Sequence, residues 1–336
     1  MAQNVFGIDL GTNNIKIYNA VTDKILVEKN MLAIENRRNM IAYGDNAFEM
    51  FEKAPASIVV SSPITNGVIA DIHNMELLIH AFITELQRGS VRAGDYFVTI
   101  PSDITEVEKR AFSDLIKDAR IRARKVYAVD KAIADGLGMG IDVKNSQGVL
   151  IVDVGYDTTE ISILSLGGIV LSRLIKIGGH AFDTAIVGAV RREYNLVIGM
   201  KTAERVRITF NDINNEEDRL NIYGRDIVTG LPVERTLTRE FVALSLAEHF
   251  RTIADSIKLI LEKTPPELSA DIYRHGLFLT GGASQEEGLA REVSGELRLT
   301  VNMSENPIGS AALGLAQVIR KSAYRSLAYT IEGLGK

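Results

Sequence analysis

Two short stretches combine turns and side chains suited to holding phosphate groups. In Phe6-Gly-Ile-Asp-Leu-Gly-Thr-Asn-Asn14 an apolar run ends in Asp9, followed by an apolar residue, Gly11, and hydroxyl and amide side chains. The same order returns in the second half of the chain as Ile151-Val-Asp-Val-Gly-Tyr-Asp-Thr-Thr159, with Asp153 and Gly155 at the matching places. A glycine turn between two strands exposes backbone N–H groups that cradle phosphates. An Asp at each strand end can hold the hydrated metal that accompanies them. One Asp-x-Gly says little. Two at matching places predict one ligand held between two related halves, and the spacing is far too long for a solenoid repeat.

Such turns need strands on both sides, and the chain supplies them. Residues 4–10, 15–19 and 25–28 read as a meander, and Met31–Ile34 and Met40–Tyr43 as a second small unit. Asn74 is placed to cap a helix running to about Gln87, with Leu77, Leu78, Ala81 and Phe82 on its buried stripe. Tyr96–Ile100 is a buried strand stopped by Pro101. Thr105-Glu-Val-Glu108 forms a capping box, followed by Val107, Ala111, Leu115 and Ile116 at helical spacing. Val126–Val129 is a further strand. The second half repeats the order, with strands near 149–153, 160–165 and 169–176 and a helix over about 181–194. Residues 200–235 read as mixed strand and loop. Thr238 caps a long helix to about Lys263, Gly276–Thr280 is a strand delivering Gly281-Gly282, and Ser284-Gln-Glu-Glu287 caps the next helix. Strands alternating with helices predict an α/β fold, here two copies facing a cleft.

Composition removes several classes. Length is 336 residues, enough for two domains with cores of their own. Apolar residues at 46% and charged residues at 24% match a soluble globular protein. A net charge of −5 gives no electrostatic reason to bind nucleic acid, and the absence of cysteine excludes disulfides and thiolate chemistry. The five His show no zinc-ligand spacing. The chain enters a strand almost at once and has no apolar run near the roughly 20 residues that span a bilayer. It is expected to be cytoplasmic.

Several longer segments carry a family resemblance. Pro63-Ile-Thr-Asn-Gly-Val-Ile-Ala-Asp71, Pro101–Glu108, Thr159–Val170, Gly224-Arg-Asp-Ile-Val-Thr-Gly-Leu-Pro232 and Leu261-Glu-Lys-Thr-Pro-Pro-Glu-Leu268 resemble the bacterial actin (MreB) family, within the actin and heat-shock chaperone ATPase superfamily. The resemblance spans nearly the whole chain in order. It implies an actin-like ATPase fold, with two ribonuclease-H-like domains around a nucleotide cleft and a small subdomain inserted in each. The expected division is domain I over 1–144 with its insertion near 29–70, domain II over 145–315 with its insertion near 180–245, and a closing helix over 316–336 packed on domain I. The resemblance also implies ATP or ADP with Mg²⁺ in the cleft and head-to-tail filaments that organise cell-wall synthesis. The partners implied are other copies, paralogous bacterial actins and membrane proteins of wall synthesis, at the inner face of the plasma membrane.

Residue by residue, Asp9, Gly11, Thr12 and Asn13 fall on the first phosphate loop and Asp153, Gly155 and Thr158 on the second. Asp9 and Asp153 are expected to hold the metal, mostly through water. Gly281 and Gly282 fall on the adenosine turn; the alternative is a plain turn. Glu204 falls on the adenine-side helix or is a solvated helix charge. Lys16 falls where actin and the chaperone ATPases have a phosphate-binding Lys, or faces solvent from its strand.

The departures from the family pattern concern chemistry. Where the family has Ile-Glu-Glu-Pro, this chain has Val129-Asp-Lys-Ala132, so Lys131 replaces the acid that orients the attacking water. An ammonium has only donors and cannot accept a hydrogen bond from water. The other reading of Lys131 is a pair with Asp135 one helical turn on, worth about 0.3–0.5 kcal/mol. In the second phosphate loop Tyr156 and Asp157 stand where the family has glycines that permit positive φ, and Asp157 adds negative charge beside an anion. The N-terminus and the Arg88–Gly94 loop lack the apolar groups with which relatives enter membranes. The tail from Gln317 keeps an apolar face of Val318, Ile319, Ala323, Leu327, Ile331 and Leu334, read as the closing helix or as a membrane contact. The main expectation is an ATP-binding filament protein with impaired hydrolysis. The alternatives are a chaperone-type or sugar-kinase-type ATPase of this fold, or a non-hydrolysing scaffold that copolymerises with an active paralogue. A chaperone should continue into a substrate domain, which 336 residues do not hold, and a kinase needs a base where Lys131 stands.

Overall fold

β1 (Val5–Leu10) is buried at every position from Phe6 onward in the computed structural model, which describes residues 4–211 and 218–331. A strand buried at consecutive positions is covered on both faces. β2 (Asn14–Asn19) and β3 (Lys24–Lys29) follow as the expected meander. A small unit comes next: β4 (Leu32–Glu35), β5 (Asn39–Tyr43), α1 (Asp45–Met50), β6 (Ile58–Ser61) and the short hairpin β7 (Ile64–Thr65) and β8 (Val68–Ile69). α2 (Ile72–Leu86), β9 (Gly94–Ile100), α3 (Glu106–Asp118), β10 (Ala123–Asp130) and α4 (Lys131–Gly138) complete the first half. The second half holds β11 (Val149–Val154), β12 (Thr159–Ser165), β13 (Gly168–Ile175), α5 (Gly179–Tyr194), β14 (Leu196–Val197), α6 (Met200–Asn211), β15 (Arg219–Asp226) and β16 (Pro232–Thr238). It ends with α7 (Arg239–Leu261), α8 (Pro266–His275), β17 (Leu277–Thr280), α9 (Glu287–Leu297), β18 (Val301–Met303) and α10 (Ser310–Arg320).

The sequence repeat is a repeat of topology. One five-stranded sheet has the order β3-β2-β1-β9-β10 and the other β13-β12-β11-β17-β18. In each, three antiparallel meander strands continue into two parallel ones. Each sheet has its own core. Phe6, Ile8, Phe82 and Phe112 belong to the first, and Val152, Phe182, Phe250 and Leu279 to the second. A third cluster draws on both halves through α4 and α10, with Ile133, Leu137, Leu315 and Val318 at its centre.

Several local expectations are met and some are corrected. The Thr105–Glu108 capping box forms, and Thr238 caps α7 through the Phe241 amide. Val107 of the expected α3 stripe is exposed, whereas Leu115 and Ile116 are buried. The cap of α2 lies three residues before the expected one: Asp71 is the cap and accepts from the Asn74 amide at 3.0 Å. Leu78 and Phe82 are buried on α2, but Leu77 and Ala81 are only half-buried and Met75, Ile79 and Ile83 complete the stripe. Ser284 does not cap α9. Its hydroxyl donates to the Gly281 carbonyl at 2.7 Å inside a 3₁₀ turn, and α9 begins at Glu287. The mixed strand and loop expected over 200–235 opens instead with α6, whose buried Ala203, Val206 and Phe210 recur at helical spacing.

The closing helix expected over 316–336 also differs. α10 begins at Ser310 and ends at Arg320, and a 3₁₀ turn, Ser322–Leu327, follows. Val318, Ile319 and Leu327 are buried in the third cluster and Ile331 packs on the first-half core. These side chains are used by packing rather than held for a membrane; Leu334 lies outside the described residues. No helix among the described residues is long and apolar enough to cross a membrane.

Two glycines let α4 and α10 approach closely. A Cβ on Gly138 would overlap the Ser310 carbonyl, and one on Gly314 the Ala134 carbonyl. Backbone against backbone leaves no room for a side chain to give way. Gly314→Ala should therefore destabilise the protein by about 2–3 kcal/mol, the cost of overpacking a close contact, read as a lowered urea midpoint. Gly295→Ala, whose Cβ meets nothing within 4 Å, should leave the midpoint unchanged or raised.

Candidate functional site

Strand register brings the chemistry together. β1 pairs with β2 so that Asp9 lies opposite Lys16, and β11 pairs with β12 so that Asp153 lies opposite Glu160. β1 and β11 end at one cleft of about 430 Å³, within the size range of small-molecule sites. Asp9, Gly11, Thr12, Asn13, Lys16, Lys131, Asp153, Gly155, Thr158, Glu204, Gly281 and Gly282 all line it. Gly281 has φ of 92°, and a Cβ there would overlap Asp153 and the Val154 carbonyl, so the turn requires glycine.

Lys16 is not a solvent-facing strand residue. Its Nζ lies 2.9 Å from Asp9 Oδ2, while Thr99 Oγ1 donates to Asp9 Oδ1 at 2.7 Å. Glu204 is not a solvated helix charge: it pairs with Lys29 at 3.2 Å. Lys131 opens α4 directly after β10, and its ammonium bonds the Asp153 carboxylate. The surface pair expected between Lys131 and Asp135 is corrected by burial. Asp135 is 3% exposed, and its Oδ2 meets no hydrogen-bond donor among the described residues.

Asp157 is placed differently from the expectation. It does not line the cleft but an adjoining cavity. There it accepts from the Asn66 amide at 2.6 Å and lies 3.4 Å from His180 Nδ1. Neither Tyr156 nor Asp157 has positive φ. The loop thus takes the two substitutions without left-handed backbone, and the added carboxylate lines the adjoining cavity instead of the cleft. Tyr156 itself lines the cleft and stacks on His180 at 5.5 Å between centroids.

Sequence reasoning gave no site role to Asp135, Glu160, Lys29 or Arg207. Arg207 is buried beside the cleft, donating to Asp183 at 2.6 Å and Glu286 at 2.8 Å. The first signal for Asp135 is its place one helical turn after Lys131, and for Glu160 its register opposite Asp153.

The electrostatics follow from this packing. Burial pushes Asp9 up, but the ammonium groups of Lys16 and Lys131 and the hydrogen bonds from Lys16 and Thr99 hold it down at about 2. For Lys131, burial acts downward, and Asp153, Asp9, Asp135 and Glu160 together raise it well above an ordinary lysine. Burial is the main cause raising Asp135 well above the carboxylate range. It lifts Glu160 to about 7, against the opposing pull of Lys131 and Ser102.

Direct ligation of Mg²⁺ by Asp9 and Asp153 does not fit these residues. Each carboxylate already carries an ammonium group, and Thr99 occupies the second oxygen of Asp9. Among the described residues no three His, Asp or Glu side chains converge as a metal-binding group.

Two matching sheets, a cleft at their strand ends and paired Asp-x-Gly turns define an actin-like ATPase fold. The crystal structure of MreB 5 of Spiroplasma citri bound to AMPPNP superposes with a TM-score of 0.90 at 30% identity, covering 97% of this chain and 98% of that one. The MamK double helical filament shares the fold at a TM-score of 0.78 and 20% identity, over 95% of this chain and 99% of that chain. The chain belongs to the MreB/Mbl family, whose model, described as MreB/Mbl protein, matches residues 3–326. The cell shape-determining protein Mbl of Bacillus subtilis is 36% identical over 316 residues, covering 92% of this chain and 93% of Mbl.

The raised Glu160 has a consequence for stability. Its ordinary value is 4.5 and its folded value about 7, so between these pH values the folded state binds more protons than the unfolded one. Stability attributable to Glu160 is present below about pH 4.5 and is lost as pH rises through about 7. Glu160→Gln keeps an oxygen for Ser102 to donate to and has no proton to lose. Its urea midpoint should exceed that of wild type near pH 8, with the difference shrinking near pH 5. An unchanged difference at both pH values would contradict the assignment.

Proposed function

We propose that the cleft binds ATP or ADP, with the phosphates between the Gly11 and Gly155 turns and the adenosine toward Gly281-Gly282, Glu204 and Arg207. Residues 1–144 and 145–315 form the two lobes around it. The observation that carries this reading is the convergence of both Asp-x-Gly turns, with Thr12 and Thr158, on one cleft. Nucleotide binding by MreB5 of Spiroplasma citri, solved with AMPPNP and with ADP, supports it. Backbone N–H groups of the turns and the two lysines supply donors and positive charge for phosphate oxygens. The expected Mg²⁺ is not carried into this reading, because its two Asp are already paired.

The chain polymerises head to tail as a cell-shape filament protein. Such a contact joins two different surfaces, and when its rotation does not close it yields an open polymer. Relatives named cell shape-determining proteins support this. At tens of µM with ATP or AMPPNP, roughly the range where filament proteins are assayed, the protein should pellet and show filaments by electron microscopy. A closed soluble dimer as the sole species would refute it.

Hydrolysis is slow. Lys131 stands in the cleft as a donor-only group, and Asp135, the neighbouring acid, has less than a tenth of its surface exposed to arriving water. Losing a positioned water acceptor costs factors of about 10². Lys131→Glu should raise phosphate release by roughly tenfold or more while weakening ATP binding. The same rate in wild type and mutant would remove Lys131 from this role. That lysine also favours a second reading, a subunit that binds nucleotide without cleaving it and copolymerises with an active paralogue.

A further inference from the structure

Resting on the nucleotide reading of the cleft, we infer that the protein carries the counter-cation of the phosphates in its own chain. The ammonium groups of Lys16 and Lys131 take the place of a divalent metal beside Asp9 and Asp153, and nucleotide binding is independent of Mg²⁺.

The two lysines are built into the frame rather than attached to it. Lys16 is fixed opposite Asp9 by the β1–β2 register, with its Nζ 2.9 Å from Oδ2. Lys131 follows β10 without an intervening loop. It opens the helix that Gly138 and Gly314 lock against α10. Their side chains are only 12% and 20% exposed, so neither ranges freely through solvent. They reach the two carboxylates from different elements, Lys16 from β2 and Lys131 from α4.

The charge balance is that of a dication. Two ammonium groups bring two positive charges to the two carboxylates that face the phosphate turns. An ammonium has three donors; each lysine has an Asp partner here and keeps donors for phosphate oxygens. Lysine serves phosphate as a compact point charge, which is the part a hydrated metal plays. A metal entering between Asp9 and Asp153 would lie beside both ammonium groups and would have to displace them. Removing the Lys131 charge opens Asp153 to a metal, so Mg²⁺ dependence should appear where it was absent.

The test is the affinity of the full-length protein for a fluorescent ATP analogue, mant-ATP, titrated with Mg²⁺ and again in excess EDTA. For wild type the two dissociation constants should agree within about threefold. A tenfold or larger weakening in EDTA would overturn the inference and leave the nucleotide reading intact; no binding in either buffer would overturn both. Lys131→Met, which keeps the stem and removes the charge, should bind about tenfold more weakly in EDTA than with Mg²⁺. Wild-type affinity in both buffers for that variant would also overturn the inference. Lys131→Met leaves Asp153 without its partner, so its fold is checked by circular dichroism. Should it fail to fold, Lys131→Arg decides alongside wild type. It keeps the charge and should remain insensitive to EDTA, and sensitivity in a folded Lys131→Arg with insensitive wild type would refute a charge-based role.

Discussion

Two carboxylates at the ends of buried strands cannot share one cleft unless positive charge stands among them. Asp9 and Asp153 are both nearly inaccessible, and burying an unpaired charge costs far more than any single contact returns. The fold meets this constraint with backbone geometry. Antiparallel pairing sets Lys16 across from Asp9, and the junction of β10 with α4 sets Lys131 on Asp153. In the second half the same register sets Glu160, an acid, across from Asp153. The missing cation there must come from outside the hairpin, and α4 supplies it. The close glycine contact between α4 and α10 is thus part of the electrostatics of the cleft as well as of its packing.

Polar ties also join the two halves. Lys29 meets Glu204, Asn66 donates to Asp157, and Glu52 accepts from the Met200 amide at 2.9 Å. Ser102 donates to Glu160, and the Leu174 amide to Asp103 at 3.2 Å. Most join partly exposed polar groups, and an exposed ion pair contributes only about 0–1 kcal/mol. The permanent connection is the apolar cluster around α4 and α10, which draws side chains from both halves.

Much of this was legible in the sequence. The paired turns announced the repeat, because the same Asp-x-Gly order returned at matching places in the two halves, and the meander strands were marked by apolar runs. Helix caps were less legible: Asp71 and Asn74 are both good cap residues, and only the backbone decides between them. In the hydrophobic pattern α6 was masked, because charged Lys201, Glu204 and Arg205 interrupt the 203-206-210 stripe; only the resemblance set Glu204 on a helix. The direction of Asp157 was not legible at all. Its loop position suggested phosphate, whereas a backbone amide ninety-one residues away in sequence, at Asn66, draws it outward. Contacts of that range depend on how the inserted hairpin folds over the cleft, and no local pattern encodes them.

Lys131 and Asp135 are best understood as one exchange of charge. A lysine placed alone among buried groups would shed its proton, since desolvation favours the neutral amine. The opposite occurs here: four carboxyl groups surround it, Asp153 foremost, and hold the ammonium charged. Asp135, buried on the next turn, is pushed the other way, chiefly by desolvation and then by Asp153. A charged Lys131 gives the cleft a fixed cation where the family pattern has an acid. On the nucleotide reading, one side chain then has two effects of opposite sign. It adds a charge that holds phosphate and removes an acceptor that hydrolysis needs. On that reading binding and cleavage are separable, and the residue proposed to strengthen the first is the one proposed to slow the second.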